Sequence, residues 1–422
     1  MSAASYLVAA WGTRGDVQPA LALAGALQGR GHRVVLAAPD GAGDAACRLG
    51  VTFEALGDDP RGWFDADPSR RRIDPLRAGR AFVELFRSQV DPQFETLLAL
   101  SEGVDAVVGQ GMMYAAKSVA EYRNVPYHYL CPNPFMLRSS AHPPIGVPFA
   151  NPPRWVNRVA WTQFSAFYWL SFRGPVNERR EALGLAPIGN AYAHVFDAEH
   201  AILCMDPELY PSSPDWRASR AAVGAFHLAT DGDLDPATDR FLADGDAPIY
   251  VGFGSMTDPD PVLTTQLIVE AARAAGRRVV ISRGWAGLGT EGDSPDVHIV
   301  SDVNHAALFR HVDVVVHHGG VGTASAAARA GVPQVVVPHA YDQPASGHCL
   351  LRAGVASASI PRRRLTVDRL TVALRSARAA DVVECVQRVS SSIKDRDSLA
   401  AARDWIERTV ESGPDPSVER ER

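Results

Sequence analysis

The stretch Val312–Thr323 reads VDVVVHHGGVGT, and the small-residue helical pattern Ala324–Ala330 follows it directly. The apolar run predicts a buried strand, and the glycines after it allow a tight turn into a helix. Backbone amides at the start of such a helix converge, and the helix dipole favours negative charge there. The stretch therefore predicts a strand–turn–helix unit with a phosphate site at its turn.

Similar apolar runs recur on both sides of this unit, and helical patterns separate them. Continuous apolar strands that alternate with helices are typical of parallel sheets covered on both faces. We therefore expect an α/β fold of two Rossmann-like doubly wound domains that face a deep cleft. The other predicted strands are Tyr6–Trp11, Arg33–Ala38, Val51–Ala55, Asp105–Val108, Tyr127–Leu130, Pro248–Val251, Arg278–Ser282, Val297–Val300 and Gln334–Pro338.

The alternation is interrupted at PSSPDW, residues 211–216, and this break indicates a linker around 210–222. It predicts an N-terminal domain over 1–212 and a C-terminal domain over 222–397. A further helix over 398–412 is expected to cross back to the first domain, and the polar tail 413–422 is expected to be disordered.

Composition excludes several classes of function. The chain has 422 residues with a net charge of −6, which suits two domains but gives no basic field for nucleic acid or an anionic membrane. Its five cysteines follow no zinc or disulfide spacing. The N-terminus lacks a signal-peptide pattern and no run of about 18 apolar residues occurs. We expect a cytoplasmic protein without stable membrane insertion.

The first chemistry-bearing segment is Trp11–Pro19, WGTRGDVQP, which follows the first predicted strand and precedes a helix predicted over Pro19–Arg30. Its glycines allow a sharp turn that aims Asp16 into the cleft near a helix N-terminus. A carboxylate there is suited to act as a general base on a hydroxyl group. The alternative is a capping aspartate that only satisfies helix amides, and the residues alone leave both open.

The second half offers two further polar segments at predicted strand ends. Either His317 or His318 can donate a hydrogen bond to a phosphate, and Ser255 lies in a glycine–serine turn able to touch phosphate or sugar. In the loop after the next strand, the carboxylate of Asp342 and the amide of Gln343 can grip several sugar hydroxyls, since both accept hydrogen bonds and the amide also donates. A helix N-cap is the alternative for this loop.

The turn also mimics a dinucleotide fingerprint, Gly320-x-Gly322-x-x-Ser325, with Asp342 about twenty residues further on. The motif does not open its domain and serine replaces the third small residue, so an NAD-dependent oxidoreductase is the weaker alternative. Among the several DxD triplets of the sequence, three pairs lie in turn-rich acidic stretches without a preceding buried strand, and we expect no metal site there. These pairs are Asp65/Asp67, Asp231/Asp233 and Asp244/Asp246.

Taken together, GTRGDVQP, VNHAALF, HHGGVGT and GVPQVVVPHAYDQP resemble the bacterial glycopeptide- and sterol-type members of the two-domain (GT-B) family 1 nucleotide-sugar glycosyltransferases. The resemblance covers essentially the whole chain. It implies an inverting, metal-independent transfer of a hexose from a UDP- or dTDP-sugar to a small lipophilic acceptor, with no other cofactor. Asp16 occupies the place of the family's catalytic base, where many relatives carry histidine.

The resemblance also implies roles for residues of the second half. Asp342 and Gln343 match the pair that contacts the donor sugar, and Trp285 and Val303 lie where relatives hold the nucleoside. The plant-type Trp-x-Pro-Gln element is replaced here by Ser301–Asn304, which removes its tryptophan. The residues that match the family's diphosphate site are His317, Gly319, Gly320, Gly322 and Thr323.

Several points stay open at this stage. The acceptor is expected to be chosen by the loops at about 57–80 and 131–154, which no motif decodes. The nucleotide, the sugar and the acceptor are not determined, and the protein is expected to be a monomer or a homodimer. A catalytically silent partner protein of the same fold and a nucleotide-sugar epimerase are the remaining alternatives.

Overall fold

A computed structural model gives the structure of the chain. It describes residues 3–59, 62, 75–196, 200–210, 212–213, 215–216, 221–227, 234–289, 292–301 and 303–412. The tail 413–422, most of the loop 57–80 and the pairs Asp65/Asp67 and Asp231/Asp233 lie outside the described residues.

The first half of the chain forms a seven-stranded parallel sheet in the order β3-β2-β1-β4-β5-β6-β7. Its strands are β1 (Ser5–Trp11), β2 (Arg33–Ala38), β3 (Thr52–Ala55), β4 (Ala106–Gly111), β5 (Tyr127–Cys131), β6 (His200–Leu203) and β7 (Ala221–Ala222). Its helices are α1 (Arg14–Gly29), α2 (Gly43–Arg48), α3 (Pro75–Ser88), α4 (Val90–Leu100), α5 (Ala116–Arg123), α6 (Arg154–Ala182) and α7 (Ala191–Phe196).

The second half forms a six-stranded parallel sheet in the order β10-β9-β8-β11-β12-β13. Its strands are β8 (Ile249–Gly252), β9 (Val279–Ser282), β10 (Val297–Val300), β11 (Val314–His317), β12 (Gln334–Val336) and β13 (Ala356–Ser359). Its helices are α8 (Pro236–Ala243), α9 (Pro261–Ala274), α10 (His305–Leu308), α11 (Val321–Arg329), α12 (Gln343–Arg352), α13 (Val367–Ala377) and α14 (Ala380–Ile393).

Both sheets reverse their strand order beside their first strand. The reversal falls between β1 and β4 in one sheet and between β8 and β11 in the other. Ligands of doubly wound sheets bind outside the carboxyl ends of the strands at such switch points. The predicted two-sheet fold is thus confirmed, and it directs attention to the residues that follow these four strands.

Three strands were not predicted from the sequence. β6 and β13 read HAIL and ASAS, and the small or polar residues of these short runs hide the apolar pattern of a buried strand. β7 lies at the end of the predicted linker 210–222 and pairs with β6. The first sheet therefore extends to Ala222, beyond the predicted end of the first domain at 212.

The last described helix, α15 (Ser398–Ser412), packs against α1 of the first half. Ala402 and Ile406 are fully buried in the core that covers this face of the first sheet. The Glu407 carboxylate lies 2.8 Å from Nε2 of the buried His32. Helix α15 thus packs on the half of the molecule that contains β1.

Candidate functional site

Asp16 follows β1 and lies at the start of α1, which begins at Arg14 rather than at the predicted Pro19. The Thr13 backbone N–H donates to Asp16 Oδ2 at 2.8 Å, and the Thr13 hydroxyl lies 3.2 Å from the same oxygen. The first of these contacts belongs to a capping box between Thr13 and Asp16, which ties the first turn of the helix together. Asp16 therefore does cap its helix, and both contacts use only one of its two carboxylate oxygens.

Two glycines make the space in which the Asp16 carboxylate sits. Gly12 has φ +150°, and a Cβ there would collide with Oδ2 of Asp16. Gly111, at the end of β4, has φ +69°, and its Cβ would lie 3.7 Å from Oδ1 of Asp16 and 2.8 Å from the Trp11 carbonyl. Because β1 and β4 are neighbours at the switch point, this arrangement places the carboxylate where a doubly wound sheet binds its ligand.

Burial raises the pKa of Asp16, and the hydrogen bonds from Thr13 oppose that rise. Removal of water disfavours the charged form of a carboxylate. A carboxylate with a raised pKa holds a proton more tightly, so it is a stronger general base than an exposed aspartate.

Asp342, from the second half of the chain, is the N-cap residue of α12. The side-chain amide of Asn133, in the loop after β5, donates to Asp342 Oδ2 at 2.8 Å. Burial raises the pKa of Asp342 to about 6, and the charge of Asp16 adds to that rise. Asp16 and Asp342, chosen from separate motifs, are thus brought together, and Asn133 is a site residue that sequence reasoning missed.

The predicted phosphate turn leads into α11, whose N-cap is Gly320. The first amides of a helix have no intrahelical acceptor, so they are available to a negatively charged group. Gly322 is exposed and Thr323 is half-buried, which leaves this first turn accessible. His318 is half-buried and its ring lies against Gly320, where a Cβ would collide with Nε2.

His317 and Gly319, for which the resemblance implied a diphosphate role, make hydrogen bonds inside the protein in this structure. His317 is fully buried, and its Nε2 lies 2.9 Å from the Gln334 side-chain oxygen. The Gly319 N–H donates to His317 Nδ1 at 3.2 Å. Both ring nitrogens of His317 and the amide of Gly319 are therefore used inside the protein, and His318 is the histidine that lies at the accessible turn.

Gln343 is also held by internal contacts. Its side-chain oxygen accepts hydrogen bonds from the backbone N–H groups of His339 and Ala340, at 2.7 and 3.1 Å. Its side-chain nitrogen lies 3.0 Å from the sulfur of Met256, which is a weak acceptor. The side-chain oxygen of Gln343 thus stabilises the loop before α12. Its nitrogen contacts only a weak acceptor, so a sugar hydroxyl would be a better hydrogen-bond partner for it.

The predicted nucleoside residues follow two adjacent strands. Trp285 comes after β9, and its backbone N–H donates to the Gly254 carbonyl at 3.0 Å, which joins its turn to that of Ser255. Val303 comes after β10 and packs against the core beneath this edge. The structure thus places Trp285, Val303 and Ser255 on one rim, at the carboxyl ends of neighbouring strands.

Ser325, the last residue of the dinucleotide-like pattern, has a structural role. It is fully buried, and its hydroxyl donates to the Asp206 carboxylate after β6. This hydrogen bond joins the helix of the phosphate turn to the first half of the chain. A dinucleotide fingerprint requires a small residue for close packing at this position. Here the position is occupied by Ser325, which makes an interdomain contact instead.

Among the described residues, no group of three or more histidine, cysteine or acidic side chains is arranged to hold a metal ion. Asp244 and Asp246, the one of the three pairs named above that is described, are exposed, and Asp246 is 3.3 Å from Arg277. No helix in the described part of the chain is long and apolar enough to cross a membrane.

Two family models match the chain, one on each half. The model of the glycosyltransferase family 28 N-terminal domain matches residues 6–141. The model of the erythromycin biosynthesis protein CIII-like C-terminal domain matches residues 280–399.

Three relatives match nearly the whole chain. Glycosyltransferase GtfE of Amycolatopsis orientalis is 33% identical over 95% of this chain and 96% of its own. Vancomycin aglycone glucosyltransferase of the same organism is 32% identical over 94% and 96%. Sterol 3-beta-glucosyltransferase UGT80A2 of Arabidopsis thaliana is 30% identical over 93% of this chain and 63% of its own.

Solved structures show the same fold. The structure of the glycotransferase of kitacinnamycin has a TM-score of 0.72 at 22% identity, over 97% of this chain and 99% of that chain. Glycosyltransferase VinC in complex with dTDP has a TM-score of 0.64 at 18% identity, over 97% and 100%.

Proposed function

The chain belongs to the family 1 glycosyltransferases of the GT-B fold, and from this we propose that it moves a hexose from a UDP- or dTDP-sugar to a hydroxyl of a small lipophilic acceptor. We propose further that the transfer inverts the anomeric centre and needs no metal ion. The observation that carries this proposal is that Asp16 and Asp342, one from each half, lie within electrostatic reach of each other at the carboxyl ends of the two sheets, where ligands bind.

In the proposed step, Asp16 takes the proton of the acceptor hydroxyl. The oxygen then attacks the anomeric carbon, and the new carbon–oxygen bond forms as the bond from that carbon to the diphosphate breaks. The bonding electrons leave with the nucleoside diphosphate on the opposite face, so the configuration inverts. The raised pKa of Asp16 supports its use as the base.

The second half receives the donor in this proposal. The amides at the start of α11 and the ring of His318 face the diphosphate, whose negative charge grows as it leaves. Burial lowers the pKa of His318 to about 3, and neighbouring histidines add to this. His318 is therefore neutral at pH 7 and contributes a hydrogen bond rather than a charge.

These groups also bear on metal independence. Backbone amides, a helix dipole and an imidazole N–H can take over the charge stabilisation that a divalent cation gives in other phosphate sites. The exposed Asp244 and Asp246 lie before β8, at the amino ends of the strands, while the phosphate turn follows β11 at their carboxyl ends. The Asp244/Asp246 pair is thus not among the proposed donor contacts.

The acceptor side of the proposal rests on the loop 131–154, which the structure describes. Its backbone is anchored to α6, where the Trp161 indole N–H donates to the His142 carbonyl at 2.9 Å and the Asn157 amide donates to the Ser140 carbonyl at 3.0 Å. An anchored loop at the strand ends gives a fixed wall to a pocket. The names of the relatives include vancomycin aglycone and a sterol, which supports a small molecule of the natural-product or sterol kind as acceptor.

A thermal-shift screen followed by a turnover assay tests this function. UDP- or dTDP-glucose should raise the melting temperature, because a ligand at about 100 times its Kd adds about 2.7 kcal/mol of stability. Nucleoside diphosphate should then be released when a lipophilic alcohol is added, with and without EDTA. A rise with NADH alone would favour an oxidoreductase, and binding without release would favour the silent partner protein.

A further inference from the structure

Asn133 is the one residue of the first half whose side chain hydrogen-bonds the predicted sugar-binding carboxylate, among the contacts of the described residues. It lies in the loop after β5 and begins the short 3-10 turn Pro134–Met136. Its side-chain oxygen accepts the Phe135 backbone N–H at 3.0 Å, and its nitrogen donates to Asp342 at 2.8 Å. The first contact fixes the orientation of the amide, so the nitrogen must face Asp342.

We propose that Asn133 is a positioning residue that orients the Asp342 carboxylate for the donor sugar, so that the acceptor-binding half completes the donor site. This inference rests on the proposed function and adds to it a residue of the other domain. Asn133 acts through Asp342 and is not itself assigned a contact with the sugar.

The surroundings of Asp342 explain why its carboxylate needs a hydrogen-bond donor. The titratable groups that interact with its charge are Asp16, Tyr210 and Tyr341, and all three are acids. Burial and the charge of Asp16 raise the pKa of Asp342, whereas its own backbone amide and Asn133 lower it. Asn133 thus favours the ionised carboxylate, which is the form that accepts hydrogen bonds from sugar hydroxyls.

A second hydrogen bond joins the same two halves of the chain and supplies a matched control. The Tyr210 hydroxyl lies 2.8 Å from the Ser346 hydroxyl in the first turn of α12. Ser346 is close to Asp342, because its N–H donates to the Asp342 carbonyl at 2.9 Å. Tyr210→Phe removes this contact between the halves without changing the partner of the carboxylate.

Two substitutions separate the roles of Asn133 itself. Asn133→Ala removes both hydrogen bonds. Asn133→Asp keeps an oxygen for the Phe135 N–H, but it replaces the donor to Asp342 by a second negative charge. If only the turn matters, Asn133→Asp behaves as the wild type. If the contact with Asp342 matters, Asn133→Asp is the worse variant.

The measurement is steady-state kinetics with UDP- or dTDP-glucose, together with binding of the free nucleoside diphosphate. We expect kcat/KM for the donor to fall about 10- to 100-fold in Asn133→Ala and further in Asn133→Asp, since a hydrogen bond to a charged group is lost. The nucleoside diphosphate should bind as tightly as before, and Tyr210→Phe should lose less than about threefold. In a background of Asp342→Asn, Asn133→Ala should cause little further loss.

Wild-type kinetics in Asn133→Asp would overturn the proposal, as would an equal loss in Tyr210→Phe or independent losses in the double variant. If the wild type transfers no sugar, the proposed function is contradicted. The contact between Asn133 and Asp342 can then still be tested by thermal unfolding. Removing Asn133 raises the pKa of Asp342, so the melting temperature of Asn133→Ala should fall more steeply than that of the wild type between about pH 5 and 8. Equal slopes would then contradict the inference.

Discussion

Asp16 and Asp342 come from opposite halves of the chain, yet the charge of Asp16 raises the pKa of Asp342. Asp16 follows β1, which lies at the switch point of the first sheet. Asp342 follows β12, which lies one strand beyond the switch point of the second sheet, so the facing sheets bring the two carboxylates together. Like charges in a shared buried space disfavour each other. Burial and the like charge therefore both disfavour two ionised carboxylates in this site. Hydrogen bonds from the hydroxyl groups of a sugar would stabilise them.

The role of Asp16 as a base is tested by Asp16→Asn. We expect kcat to fall by about 10²- to 10⁴-fold, because general base catalysis is lost. The new side-chain oxygen still accepts the Thr13 N–H, so the capping box and the melting temperature should be preserved. Asp235→Asn, at the N-cap of α8, is the matched control for a cap outside the site. Near-normal turnover in Asp16→Asn would contradict the role of Asp16 as the general base.

The two adjacent histidines should respond in opposite ways to alanine substitution. His318→Ala should weaken binding of the nucleoside diphosphate by tenfold or more, about 1.5–3 kcal/mol for a hydrogen bond to a charged group, with little change in stability. Titration calorimetry with nucleoside diphosphate and with nucleoside measures this, and only the former should lose affinity.

His317→Ala, in contrast, should destabilise the fold by at least about 2 kcal/mol, because it leaves the buried Gln334 oxygen and the Gly319 N–H without their partner. Denaturant unfolding measures this loss. If His317→Ala folds normally and only loses donor affinity, the assignment of the two histidines is reversed.

Gly111 should be required for the position of Asp16 and not only for its backbone angle. In Gly111→Ala the new Cβ meets the Trp11 carbonyl at 2.8 Å and lies against Asp16. Gly50 has almost the same angle, +68° against +69°, with open space around it. Gly50→Ala therefore measures the strain alone. We expect a loss of kcat in Gly111→Ala that Gly50→Ala does not show, with equal activity in both variants as the contradicting result.

The stability of the protein should decrease as pH rises through the pKa of Asp342. The folded state raises this pKa from 3.8 to about 6, so the folded state binds the proton more tightly than the unfolded chain. The resulting stability is complete below about pH 4 and is lost by about pH 6, and it amounts to roughly 3 kcal/mol at about 1.4 kcal/mol per pKa unit. Asp342→Asn should remove this dependence from the pH profile of the melting temperature, and an unchanged profile would contradict it.

Much of the fold was predictable because the apolar runs of buried parallel strands are a local property of the sequence. The strands at Tyr6–Trp11 and Val312–His317 were found this way. The start of α1 was not, because Pro19 suggested a first turn while the Thr13–Asp16 capping box begins the helix earlier. Side-chain alternation in β11 could not separate His317 from His318, because Val315 and Val316 on its two faces are both buried.

The sequence by itself determined that two parallel sheets form and that polar residues follow their strands. The pattern of buried residues and the glycine turns depend only on residues that are neighbours in the sequence. Only the tertiary structure decided which of those polar residues face each other. The partners Asn133 and Asp342 are 209 residues apart, and Gly111 meets Asp16 only because β1 and β4 are adjacent in the sheet. Contacts of this kind depend on strand order and on the packing of one half against the other, which no local pattern encodes.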